Sequence, residues 1–295
     1  MLYPLISNFF MNNSHAILIE EYDHIVEDLT AEEKDEMKSA AVSYNENAVS
    51  ENLYAADPFE DVDAAGTENS GYYDLMDVGE EIATIEIPKL NIEYPIFHGT
   101  SEEVLHKGIG HLSNSSLPVG GDSTHAILAG HRGMPSADMF LYLDQVEIGD
   151  HVFIHVLDEV LAYEVYAIDV VLPYDTGSLV IEEGRDLLTL VTCEPYMINT
   201  HRLLVKAERI PFVTEQAEEE HIRQPHEKPN KVKVHFKDVA IILAVMLFVV
   251  LFIVLLLKSR KKGRSRWLDW VKNSSIHIVF YRFFNSNLPL SCKML

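Results

Sequence analysis

The chain of 295 residues carries a formal net charge of −23 and is 47% hydrophobic, enough to bury one large core or two small ones. Residues 14–81 hold 20 acidic residues against 2 basic, and residues 82–212 hold 19 against 7. Such a body is excluded as a nucleic-acid surface, because phosphate neutralisation needs clustered Lys and Arg.

The first 13 residues, MLYPLISNFFMNN, are apolar but too short to span a bilayer and lack the charged start of a signal peptide. They read as the end of a further hydrophobic helix whose start lies upstream. Residues 14–54 read as a helical region. Thr30 to Glu33, TAEE, has the spacing of a capping box, and Met37, Ala41, Tyr44 and Ala48 follow at amphipathic spacing. Residues 55–81 are rich in Asp, Gly, Asn and Ala without a clean period, and read as an acidic loop.

From residue 82 to residue 212 the texture is short and β-rich: IATIEIPKL, YPIFHG, HAILAGH, HVFIHV, LAYEVYAIDVVLP, DLLTLVTC and HRLLVKAERI, separated by turn signals such as PVGGDS, EIGD and YDTG. Seven or eight strands in about 130 residues predict a mainly β domain, a closed or nearly closed barrel. Residues 213–238 are polar and charged with two prolines, a spacer. Residues 239–257, VAIILAVMLFVVLFIVLLL, are free of charge and long enough for one transmembrane helix. KSRKKGRSR follows at once, so residues 258–295 are expected to be a basic cytoplasmic tail and everything before Val239 extracytoplasmic. Cys193 and Cys292 then lie on opposite sides of the membrane and cannot pair, which leaves Cys193 a lone extracytoplasmic thiol.

Cys193 ends the DLLTLVTC run, and Glu194 and Pro195 stop the ladder after it. A thiol at a strand end is held by rigid backbone yet reachable, which suits a nucleophile, although a lone cysteine also serves as a small buried hydrophobe. Arg202 opens the next strand nine residues on, and the loop between them can bring both to one end of neighbouring strands. A guanidinium there can stabilise an oxyanion or grip a peptide carbonyl; on spacing alone a surface arginine fits as well. The barrel region holds eight histidines, and spacing does not select among them. His131 is the best placed, at the end of the HAILAG run and before a loop. No HExxH, CxxC, G-x-S-x-G or phosphate-binding glycine loop occurs, so neither a metal nor a cofactor is expected.

The stretch TLVTCEPYMINTHRLLV, residues 189–205, resembles the TLxTC signature and downstream arginine of sortases. AGHRGMPSADMFLYLDQVEIGD, residues 129–150, and ADPF, residues 56–59, resemble the pilin-polymerising class C branch. The resemblance covers residues 30–212. It implies an eight-stranded, mostly antiparallel barrel and a cysteine transpeptidase with Cys193, His131 and Arg202 as its catalytic residues. Its expected partners are pilins or surface proteins with LPXTG-like sorting signals, at the membrane. It also implies a mobile lid over residues 55–63, in which Asp57, Pro58 and Phe59 place a carboxylate against Arg202 and a ring against the Cys193 sulfur.

Two departures from the branch stand out. Glu194 replaces the usual threonine, and a carboxylate beside the thiol is expected to oppose thiolate formation. Met197 replaces a common glycine. The alternatives carried forward are anchoring of surface proteins to peptidoglycan, and a catalytically impaired sortase-like scaffold in which Glu194 is the lesion.

Overall fold

Alternating apolar and polar residues from Glu81 onward form eight strands: β1 (Glu81–Ile87), β2 (Ile92–His98), β3 (Ile109–His111), β4 (Thr124–Ala129), β5 (His151–Val156), β6 (Glu159–Val171), β7 (Asp186–Glu194) and β8 (His201–Ile210). In this computed structural model the described residues are 3–51, 57–59, 71–134 and 137–212. The strands close in the order β1-β2-β3-β4-β7-β8-β6-β5, with β5 pairing back onto β1. Closure leaves no unpaired sheet edge. Two pairs are parallel, β2 with β3 and β4 with β7; every other pair is antiparallel. Parallel neighbours cannot be joined by a hairpin. The β2–β3 crossover carries a short helix, α3 (Glu102–Lys107), whose N-terminus is capped by the Ser101 side chain.

Inward residues of all the long strands, among them Ile85, Ile96, Leu128, Ile154, Val165, Leu190 and Val205, fill the barrel. Two N-terminal helices lean on the outside, α1 (Tyr3–Asp28) and α2 (Ala31–Glu51). Residues 3–13 therefore continue into α1 rather than standing apart from the helical region. The capping box at the start of α2 is formed: the Thr30 N–H donates to the Glu33 carboxylate at 2.8 Å, and the Glu33 N–H to the Thr30 hydroxyl at 3.2 Å. The buried stripe of α2 runs through Ala41 and a polar residue, Asn45. Its amide donates to the Leu117 carbonyl at 3.1 Å and accepts from the Leu117 N–H at 2.7 Å, as a strand would. In α1, Tyr22 is buried, donates to the Ile82 carbonyl and accepts from the Leu157 N–H, so one phenol ties two parts of the barrel together.

Residues 239–257, the expected membrane helix, lie outside the described residues, as do the spacer and the tail. Among the described residues no helix is long and apolar enough to cross a membrane.

Asn45→Ala leaves the buried Leu117 N–H unpartnered, while the Leu117 carbonyl still accepts from the Val119 N–H at 2.8 Å, and should destabilise the fold by about 1–3 kcal/mol. Thr30→Ala, at an exposed cap, should cost about 1 kcal/mol or less. Urea unfolding of both variants checks the ranking.

Candidate active site

Strand register assembles the site. The β4–β7 ladder runs from Thr124↔Asp186 to Ala129↔Val191, one residue against one. It is prolonged by the Gly130 N–H, which donates to the Val191 carbonyl at 3.1 Å, and by the Thr192 hydroxyl, which donates to the Gly130 carbonyl at 2.7 Å. One more step sets His131 beside Cys193, and the next sets Arg132 beside Glu194. On the other side of β7, the antiparallel pairing with β8 puts Cys193 opposite Arg202. Alternate residues share a face, so His131, Cys193 and Arg202 form a row above Ile127, Val191 and Leu204. Those three are buried in one apolar cluster outside the barrel, with Leu112 and Leu179, and Phe59 packs against it.

The Asp57-Pro58-Phe59 segment covers this row. The Arg202 Nε donates to Asp57 Oδ1 at 2.9 Å and a terminal nitrogen to Oδ2 at 2.6 Å, a two-pronged ion pair with only 11% and 2% of the side chains exposed. The Phe59 ring lies under the same guanidinium, 4.9 Å from centroid to carbon, and 6.1 Å from the His131 ring. Phe59 is thus fixed by cation, imidazole and apolar floor.

Cys193 is 8% exposed. Burial pushes its thiol above the ordinary cysteine value; Arg202 and Arg132 pull the other way, and Asp57 adds to the rise. Burial, followed by the neighbouring His106, holds His131 below the usual imidazole value. At neutral pH the covered site therefore holds a neutral thiol and a neutral imidazole. The His131 Nε2 is buried and has no hydrogen-bond partner among the described residues, so it remains available to exchange a proton. No group of ligands able to hold a metal occurs among the described residues.

The Sortase domain family matches residues 85–210. The crystal structure of Streptococcus pneumoniae Sortase C is 41% identical, with a TM-score of 0.59, over 66% of this chain and 97% of that one. The chain belongs to the sortase family. Sortase C-1 from Actinomyces oris is 42% identical with a TM-score of 0.58, over 61% of this chain and 99% of that one. Both are class C sortases. Sortase D of Bacillus subtilis (strain 168) is 30% identical over 120 residues, 41% of this chain; the chain spans 58% of that curated relative's length.

Within this sortase barrel, most of the other histidines are engaged elsewhere, and His98, like His131, keeps a buried Nε2 without a partner among the described residues. His111 is pushed down to about 3 by burial and is held between the Tyr72 hydroxyl and the Ser116 carbonyl. His125 bridges the Val180 carbonyl and the Thr189 hydroxyl. His155 and His151 sit beside Glu86 and Glu164, and His98 lies edge-on to Tyr72. The sequence pattern does not single out His106. It meets His131 edge to face, with ring centroids 5.4 Å apart. Its only trace in the sequence is its place on α3, just before β3.

Glu194 corrects an expectation. On a strand its side chain points to the face opposite Cys193, where it pairs closely with Arg132. The carboxylate that raises the thiol is Asp57, so the argument for Glu194 as a lesion loses its physical basis. Met197 is 79% exposed and has a φ of +63°, which explains why glycine suits this position.

Replacing Asp57 and Phe59 with alanine removes the groups that occupy Arg202 and cover the row. Alkylation of Cys193 by a small thiol reagent should accelerate about tenfold or more at neutral pH. Because burial and Asp57 raise the thiol, the wild-type rate should climb only above the ordinary cysteine range. Without Asp57 the climb should shift to lower pH. Rates unchanged at every pH would show that the segment neither covers nor influences the thiol.

Proposed function

We propose that this chain is a class C sortase that cleaves an LPXTG-like sorting signal and joins the acyl fragment to a lysine amine of a pilin subunit. The observation that carries this reading is the row His131, Cys193 and Arg202 at three adjacent strand ends, with Asp57 seated on the arginine. The relatives support the choice of acceptor: the Streptococcus pneumoniae structure concerns pilin substrate specificity, and another similar structure is Sortase C1 of GBS Pilus Island 1.

Once Asp57 leaves Arg202, the guanidinium favours thiolate formation and is free to meet a substrate carbonyl. Cys193 gives its proton to His131, and the thiolate attacks the carbonyl carbon of the signal's threonine. Arg202 stabilises the resulting oxyanion. Collapse breaks the carbon–nitrogen bond, and His131 passes its proton to the departing glycine amine, leaving a thioester on Cys193. The pilin lysine amine then attacks this thioester and loses a proton to His131. The second collapse forms an isopeptide bond and releases the thiolate, which regains the proton.

The enzyme is proposed to act outside the cell, anchored by residues 239–257 with the tail inside. The uncharged run followed by nine basic residues in the last 38 supports this orientation. Holding enzyme and pilin in one membrane raises their effective concentration.

Incubated with LPXTG-like peptides, the purified protein should gain a mass equal to the acyl fragment. Cys193→Ala should gain none, and His131→Ala and Arg202→Ala should each turn over orders of magnitude more slowly with the fold intact. Adduct formation or transfer by Cys193→Ala would overturn the mechanism. An impermeant thiol reagent on intact cells should label Cys193 when the segment above it opens, and never Cys292; the reverse pattern would invert the orientation.

A further inference from the structure

We propose that Arg132 is a positioning residue: clasped between Glu194 and Asp144 behind the site, it fixes the His131 segment against the end of β7. This rests on the reading of His131 and Cys193 as the reacting pair. The β4–β7 backbone ladder ends at Ala129↔Val191, and the last tie described beyond it is the Thr192 bond to Gly130. His131 and Arg132 lie past that point. Something other than the ladder must hold them in register.

The Arg132 side chain supplies it. It is 7% exposed and reaches three targets with one guanidinium: the Glu194 carboxylate in close contact, Asp144 Oδ2 at 3.0 Å, and, more loosely, the Cys193 carbonyl at 3.5 Å. Glu194 is the chain neighbour of Cys193, and Arg132 is the chain neighbour of His131. Tightening one pair of neighbours therefore fixes the other pair across the opposite face. Asp144 sits in the turn Leu143–Gln145, which anchors the far side of the segment. That segment is closed on itself where the His131 carbonyl accepts from the N–H groups of Gly133 and Phe140, and where Arg132 bridges Met139. Gly133, with a φ of +76°, makes the turn, and a Cβ there would come within 3.0 Å of Leu141 Cδ1. A lysine could not replace the arginine, because a single ammonium lacks the planar fork that spans two carboxylates and a carbonyl.

Brace and catalysis are separable by experiment. Full-length protein in detergent micelles carrying Glu194→Gln, Arg132→Gln, Arg132→Lys or both glutamines is compared for kcat, KM and Tm with an LPXTG-like peptide and an amine acceptor. Glu194→Gln should lower kcat about tenfold with KM within about twofold, because the reacting pair is misplaced while the binding surface is untouched. Arg132→Gln and Arg132→Lys should lose about a hundredfold, and the double glutamine variant should recover toward Glu194→Gln, since no buried charge is left unpaired. Wild-type kcat in Glu194→Gln, with only Tm lowered, would overturn the proposal; that variant carries the test if Arg132→Gln fails to fold. The His131 side-chain resonance in histidine-labelled protein is read in parallel. It should be sharp in the wild type and shifted or broadened in Glu194→Gln, and an unmoved resonance also overturns the brace. A shifted resonance in a protein that never acylates would instead sink the functional reading and leave the brace standing.

Discussion

The parallel pairing of β4 with β7 is the constraint on which the rest of the site depends. Cys193 and His131, the proposed nucleophile and its proton partner, lie 62 residues apart and are brought side by side because two strands run in the same direction in one register. A shift of one residue would turn Cys193 to the opposite face and place Glu194 in the row instead. The antiparallel β8 then adds Arg202 from the other side. Because parallel strands need a long crossover, β5 and β6 are inserted between β4 and β7 in sequence, and the barrel closes through them.

One guanidinium serves two masters in this arrangement. In the covered site Arg202 is held by Asp57, Phe59 and the Asn199 and His201 carbonyls; in the proposed reaction it is needed by a carbonyl becoming an oxyanion. The ion pair is almost wholly buried, so its worth is the small difference between strong attraction and costly desolvation. That balance makes it replaceable by another well-placed acceptor, and in the proposed reaction a substrate carbonyl competes for Arg202 on these terms. The same exchange changes the thiol. Asp57 raises its pKa and Arg202 lowers it, so uncovering the site also favours the thiolate of Cys193.

Much of this was legible in the residues. Strand texture predicted seven or eight strands, and the one left out of the pattern was β3, three residues long, too short to show a period. Ser101 capping a six-residue helix was likewise too local to read. The TAEE box and the α2 stripe were visible, but Asn45 was hidden by being polar: it is buried because Leu117 offers it both a donor and an acceptor, and that partner lies 72 residues away. The same limit applies at the site. Adjacent strands make Cys193 and Arg202 neighbours from spacing, whereas Glu194 was misread because its partner Arg132 comes from a distant strand end. His106 near His131, and Phe59 against the guanidinium and floor, depend on the folded crossover and segment, which local pattern does not encode.

The central claim is that His131 and Cys193 share one face at adjacent strand ends while Arg132 occupies the other. It is tested most directly with a bifunctional bromobimane, which fluoresces when it bridges two nearby thiols, in an Asp57→Ala background that uncovers the row. His131→Cys should be bridged to Cys193, and Arg132→Cys should not. Bridging through position 132, or none through position 131, would contradict the register from which the site is built.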